Sequence, residues 1–181
     1  MKKLHIAAAV SVGMAIVGLT GCTTKRQPPA PPTPPIERPA ERPLPTSAYL
    51  YTAASLDLYE IRSGELALQR SGSAGNRAYA QRMIEAHRGL AAQLSMAGRR
   101  LNLLPPTVLR PEQQQWLDQL ATTTSPDHFD ATYRRQQMVA HEQSYRIHSA
   151  YAYGGESATL RMVARNAAAV EQEHGGSMRM M

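Results

Sequence analysis

From Ser47 to His174 the chain is a succession of long segments in which apolar residues return every three or four positions, the period of an α-helix with one buried face. No stretch alternates apolar and polar residues as a half-buried strand requires, and clusters of Gly, Pro and Ser cut the sequence at few places. The cuts predict four long helices, from about Ser47 to Arg70, Gly75 to Asn102, Ser125 to Tyr153 and Glu156 to His174. Ser125-Pro126-Asp127 supplies a cap, a first-turn proline and a first-turn acid in order. Gly154-Gly155 is the expected stop of the third helix and Gly175-Gly176 that of the fourth, which leaves 175–181 as a flexible Met-rich tail.

Two of the three connections are a few residues long, so their helices are antiparallel neighbours. The third, between helices two and three, is much longer and holds a short helix from Pro111 to about Ala121, whose Trp116 and Leu120 are placed to pin it to the rest. A helix of about 26 residues is ~39 Å long, a length this connection can traverse. The predicted fold class is all-α, a ferritin-like four-helix bundle with one long crossover between helices two and three. A simple up-down bundle with a surface excursion is the alternative. Gly64, Gly89 and Gly98 sit inside helices at a cost of roughly 1 kcal/mol each, which close helix approach would offset.

The region before Ser47 has a different chemistry. Met1-Lys2-Lys3 precedes an apolar run from Ile6 to Leu19, shorter than the ~20 residues that cross a bilayer and suited to a signal peptide over 1–21. Leu19-Thr20-Gly21-Cys22 resembles the bacterial lipobox, and Cys22 is the single cysteine of the chain. That resemblance implies lipidation of Cys22 and an acyl anchor in the membrane. Thr23 stands where the inner-membrane retention signal has Asp, so outer-membrane attachment facing the periplasm is expected. Residues 22–46 form a linker, with nine Pro between 26 and 46; at ~3.1 Å per residue in polyproline form, 26–46 extends about 65 Å. The formal charge of +6 belongs to this end. Residues 1–46 hold six Lys/Arg against two Glu, whereas 47–174 hold 13 Arg against 12 Asp/Glu. A near-neutral domain of interleaved sign removes the main argument for nucleic acid. The expected partners are the membrane, through the anchor, and an envelope protein or cell-wall component.

Ionisable residues interrupt the apolar seams. Along helix one, Leu50, Ala54, Leu58, Ile61 and Leu68 leave a gap filled by Glu65. Along helix two, Ala80, Met83, Leu90, Leu94, Ala97 and Leu101 leave a gap filled by His87. Helix four leads through Leu160, Val163, Ala167 and Val170 to His174, with Glu171 one turn earlier. Helix three carries Asp130, Gln137, His141, Ser144 and His148 on one face, bordered by Tyr133. Buried carboxylates and imidazoles cost several kcal/mol unless they find partners. Two arrangements supply them. One is a single zinc, iron or copper ion held by Glu65, His87, His141, Glu171 and His174, with Asp130, Tyr133, Glu142 and His148 around the ligands. The other is a metal-free Glu–His hydrogen-bond network. Only Glu171-x-x-His174 has the Glu-x-x-His form that di-iron bundles use twice, and the predicted set is poor in carboxylates. Met178, Met180 and Met181 just beyond His174 are soft ligands suited to cuprous copper. No Gly-rich phosphate loop, serine elbow or free Cys nucleophile is visible.

Over residues 47–174 the chain resembles the bacterial exported family known as domain of unknown function 4142. The resemblance rests on Glu65-Leu66-Ala67, Ala80-Gln81-Arg82-Met83 leading to His87, Phe129-Asp130-x-x-Tyr133, Ala140-His141-Glu142 and the late His174. It implies a ferritin-like fold and leaves the activity open. This chain departs from the family pattern at Ala86, where an Asp usually precedes the helix-two histidine, at Ala169, where a Pro is usual, and at Gly175, past which the family's last helix continues. The resulting expectation is an outer-membrane lipoprotein presenting a helical binding or stress-related module, rather than a hydrolase. The alternative is a metal-dependent redox or copper-handling protein built on the same His/Glu centre.

Overall fold

The computed structural model describes residues 39–180. The expected signal peptide, Cys22, most of the Pro-rich linker and Met181 lie outside the described residues. The described residues form five helices and no strand: α1 (Thr46–Arg70), α2 (Ala74–Arg100), α3 (Pro111–Thr122), α4 (Pro126–Gly154) and α5 (Ala158–Arg179). Local chemistry accounts for their starts. The side chains of Ser73, Ser125 and Ser157 accept the backbone N–H of Asn76, His128 and Leu160, so three helices begin with one orphan donor satisfied. Pro111 and Pro126 occupy first-turn positions where no N–H is missed.

Side-chain contacts fix the directions of the helices. Tyr49, early in α1, bonds to His148, late in α4, and Ser71, just past α1, donates to Asp130, early in α4; α1 and α4 are antiparallel. Tyr79, early in α2, reaches the carbonyl of His174, late in α5, and Asn166 of α5 donates to Gln93 of α2 at 3.0 Å; α2 and α5 are antiparallel too. Each of these four helices packs against two others, α1 on α2 and α4, α5 on α4 and α2. Because α1 also turns directly into α2, α2 and α4 run in the same sense, and residues 101–125 travel from one end of the molecule to the other. On the way α3 docks on α1 and α4. Leu120 is buried, Trp116 meets Tyr59 edge-on, and Gln136 donates to the Trp116 carbonyl at 3.0 Å. Arg70, in the last turn of α1, donates to the carbonyls of Leu120, Ala121 and Thr123 at the end of α3.

The interior is layered along the helix axes. At one end Tyr49, Leu50, Ala53, Leu94, Tyr151 and Leu160 anchor an apolar cluster. At the other, Ala67, Tyr79, Met83, Leu120, Phe129 and Tyr133 anchor a second. Outside the clusters the interior also holds a set of buried polar side chains, Asp57 and Glu60 from α1, His87 from α2, His141, Ser144 and His148 from α4, and Glu171 from α5.

The end of α5 corrects the expected flexible tail. The helix runs through Gly175 and Gly176 to Arg179, because Met178, 3% exposed, packs into the second cluster with Tyr79, Phe129 and Tyr133. Burying a Met side chain contributes about 1.5–3 kcal/mol, comparable to the cost of two glycines at roughly 1 kcal/mol each. The departure from the family pattern read at Gly175 therefore does not end the helix.

Close approach explains two of the three internal glycines. A Cβ on Gly64 would lie 2.9 Å from Ile84 Cγ1, where α1 crosses α2, and one on Gly98 would lie 2.5 Å from the Leu103 carbonyl oxygen. That carbonyl belongs to the turn that ends α2, in which Asn102 adopts φ 54° and the Leu103 N–H bonds to the Gly98 carbonyl at 2.9 Å. Gly89 has nothing within 4 Å of its Cβ position. Gly89→Ala is therefore expected to raise stability by about 0.5–1 kcal/mol, and Gly98→Ala to lower it by about 1–3 kcal/mol. Urea unfolding of the two variants checks the opposite signs.

Candidate metal centre

Along α1 the fully buried residues Tyr49, Ala53, Leu56, Glu60, Ser63 and Ala67 alternate steps of four and three, with Asp57 and Gly64 beside them. This line faces the other helices. The Leu58–Ile61–Leu68 stripe instead lies at the edge of the helix, where Leu58 and Ile61 line a depression with Pro105 and Pro106 at the start of the crossover. Glu65 shares that outer side. Its carboxylate is exposed and pairs with Arg88 at 3.1 Å on the surface, so it is no part of a buried centre. The acids that α1 sends inward are Asp57 and Glu60, 3% and 2% exposed, and the centre is richer in carboxylate than the sequence reading allowed. The signal for them was the heptad line itself, masked by the more hydrophobic stripe alongside.

His87, His141, Glu171 and His174 converge. One donor atom of each lies within 4.8 Å of the others, a span close to twice the ~2.0–2.2 Å metal–donor distance of a first-row ion. The three imidazoles form a near-regular triangle, with ring centroids 5.9 Å (His87–His141), 5.6 Å (His87–His174) and 5.5 Å (His141–His174) apart. His87 donates Nδ1–H to Asp57 at 2.9 Å and leaves Nε2 without a partner. This is the carboxylate–histidine pairing that orients a metal-binding imidazole. His141 Nδ1 meets Glu171 Oε2 at 2.7 Å and its Nε2 meets the Tyr79 hydroxyl at 2.6 Å. Ser144 donates to Glu171 Oε1 at 2.9 Å. Half-buried His174 leaves Nδ1 without a partner. These residues fit an ion: atoms of metal-ligating type converge, and two of the ring nitrogens, His87 Nε2 and His174 Nδ1, have no other partner among the described residues.

The residues expected around the ligands divide. His148 is buried beside the centre and shares a 3.0 Å hydrogen bond with Tyr49. Tyr133 is buried with its hydroxyl unpartnered. Asp130 does a different job, accepting from Ser71 and from the Ser73 N–H at 3.1 Å, which ties the α1–α2 turn to α4. Glu142 is exposed and faces Arg146. It lines a surface cleft between α4 and α5 whose floor includes His141 and Glu171 and whose rim includes Gly175 and Arg179.

Burial and mutual charge set the protonation of this layer. Burial would raise the pKa of Glu171, but His87 and His141 hold it down to about 2. Burial would lower His87, but the charge of Glu171, the Asp57 hydrogen bond and Glu60 carry it up to about 9. Burial raises Asp57 to about 6 against the pull of His87. Desolvation also raises Glu60. His148 and His174 are both lowered to about 4, desolvation being the first cause in each.

A family model described as "Domain of unknown function (DUF4142)" matches residues 31–181. The chain belongs to this family. No curated protein and no solved structure matches it. Set against the family pattern, Ala86 leaves His87 well supported, since the carboxylate that orients the ring comes from Asp57 of α1.

The His148 shift has a consequence for stability. Between pH 6.5 and 4 the unfolded chain binds a proton at this residue and the folded chain does not, so its contribution is complete above pH 6.5 and falls as pH drops. From pH 7.5 to 5 the loss is about 2 kcal/mol, or roughly 5–8 °C in melting temperature. In chelator, His148→Gln should show a melting temperature that falls less over this range than that of the natural chain, by about that amount.

Proposed function

We propose that this protein is an envelope lipoprotein whose ferritin-like four-helix domain binds one divalent transition-metal ion, zinc or iron before copper. One observation carries the reading: His87, His141, Glu171 and His174 bring donor atoms within 4.8 Å of one another in the interior. Helix order supports the ferritin-like assignment, because α2 and α4 run in the same sense and a long connection carrying α3 joins them. Three imidazoles and a carboxylate suit zinc, ferrous or cupric ions. The tail argues against cuprous copper, since Met178 packs into an apolar cluster and Met180 is 84% exposed.

The lipobox-like Leu19-Thr20-Gly21-Cys22, Thr23 and the Pro-rich linker support a place on the periplasmic face of the outer membrane, with the domain held off the lipid. From there it meets an envelope protein or cell-wall component. A second reading, redox chemistry on the bound ion, is favoured by the α4–α5 cleft that leads from solvent to His141 and Glu171. The ion would supply the electron transfer, His141 and Glu171 would hold it at the cleft floor, and Tyr79 would orient His141.

The test is elemental analysis of the full chain purified without a His-tag, with thermal melts in and out of chelator. About one equivalent of metal and a chelator-induced drop of several degrees are expected. Metal well below a tenth of an equivalent after loading, with no shift, would overturn the metal reading. Cys22→Ser should move the chain from the membrane to the soluble fraction; membrane retention would count against the anchor.

A further inference from the structure

Glu60 is 2% exposed, and neither of its carboxylate oxygens has a hydrogen-bond partner. Other buried acids of the interior are matched, Asp57 by His87 and Glu171 by His141 and Ser144. Gln137 is the one side chain close enough to lower its pKa by hydrogen bonding, and that amide donates to Ser63 Oγ at 3.2 Å, with no bond to Glu60 of good geometry. An unsatisfied buried carboxylate costs more than any neutral polar group, and here it stands mid-way along α1, the one helix of the four that contributes nothing to the His87–His141–Glu171–His174 set. Its strongest charged neighbours are His141, then His87, then Glu171.

We infer that Glu60 is a further ligand of the centre, so that the ion takes donors from all four long helices, three imidazole nitrogens and two carboxylates. This assignment rests on the metal reading above. Charge is compatible with it: two anionic ligands with three neutral imidazoles balance a divalent cation within the ligand shell. Two carboxylates also set the preference of the site, toward ferrous, manganous or zinc ions and away from cuprous copper. Asp57 stays outside the ligand shell, holding His87.

The experiment uses the full chain, loaded separately with zinc, followed by competition with a chelator, and with cobalt(II), followed by visible absorption. Glu60→Gln is expected to weaken zinc binding about tenfold or more and to change the cobalt spectrum. Its chelator-treated melting temperature should stay at or above that of the natural chain, since a neutral amide replaces an unmatched acid. Glu65→Gln, on the surface, should leave affinity and spectrum unchanged. Zinc affinity within about twofold of the natural chain, with the same cobalt spectrum, overturns the assignment. Should Glu60→Gln fold poorly, Glu60→Asp decides: a shortened carboxylate that ligates shifts the cobalt spectrum, and an unaltered spectrum overturns the proposal. Failure of the natural chain itself to bind zinc or cobalt sinks the metal reading, and the Glu60 assignment with it. An effect confined to the variant bears on Glu60 alone.

Discussion

Placing a layer of carboxylates and imidazoles in the middle of a helical interior is the constraint to which the rest of this structure responds. Asp57, Glu60, His87, His141, His148 and Glu171 are all within a few per cent of full burial, and each costs several kcal/mol unless matched. Most of that cost is met inside the protein, by the Asp57–His87 pair and by the Tyr79–His141–Glu171–Ser144 chain. Among the buried atoms left unmatched are both oxygens of Glu60, one nitrogen of His87 and one of His174, besides atoms of Asn76, Tyr133, Gln137, His148 and Ser149.

The apolar clusters at either end make the layer possible. They fix the axial position of each helix, so that residues near the midpoints of α1, α2 and α4 arrive at the same height. Met178 shows the connection between packing and site. His174 sits one residue before two glycines, where a helix would ordinarily fray, and the burial of Met178 one turn later holds that segment helical and keeps His174 in the triangle. Asp130 acts at a distance in the same way, by tying the α1–α2 turn to the start of α4. The segments that carry the family resemblance divide accordingly. Ala80, Met83, Phe129 and Tyr133 are packing residues, His87, His141 and His174 belong to the centre, and Glu65 and Glu142 face solvent.

Helix content was legible because its signals are local. Serine caps, first-turn prolines and a 3.6-residue period act within a turn or two, and they placed the starts of α2, α4 and α5 within a few residues. The three histidines and Glu171 were legible because each interrupts an otherwise apolar seam. Helix one misled for a physical reason. Its hydrophobic stripe enters the core at Leu50 and Ala54, but at Leu58 and Ile61 it is turned to the prolines of the crossover, while the inward line at that height carries Asp57 and Glu60, so hydrophobicity pointed away from the acids. Asp57 and Glu60 were missed and Glu65 was chosen in their place.

The sequence by itself determined an all-helical domain, the four long helices, the family, and which imidazoles could meet, because periodicity, capping and the spacing of polar residues in a seam are properties of a few consecutive turns. Only the tertiary structure decided which face of α1 turns inward, that α5 continues through Gly175-Gly176, and that Asp57 orients His87 while Glu60 is left without a partner. Those outcomes depend on what lies across the interior from each residue. A single helix, read alone, carries no information about which of its faces the other three will cover.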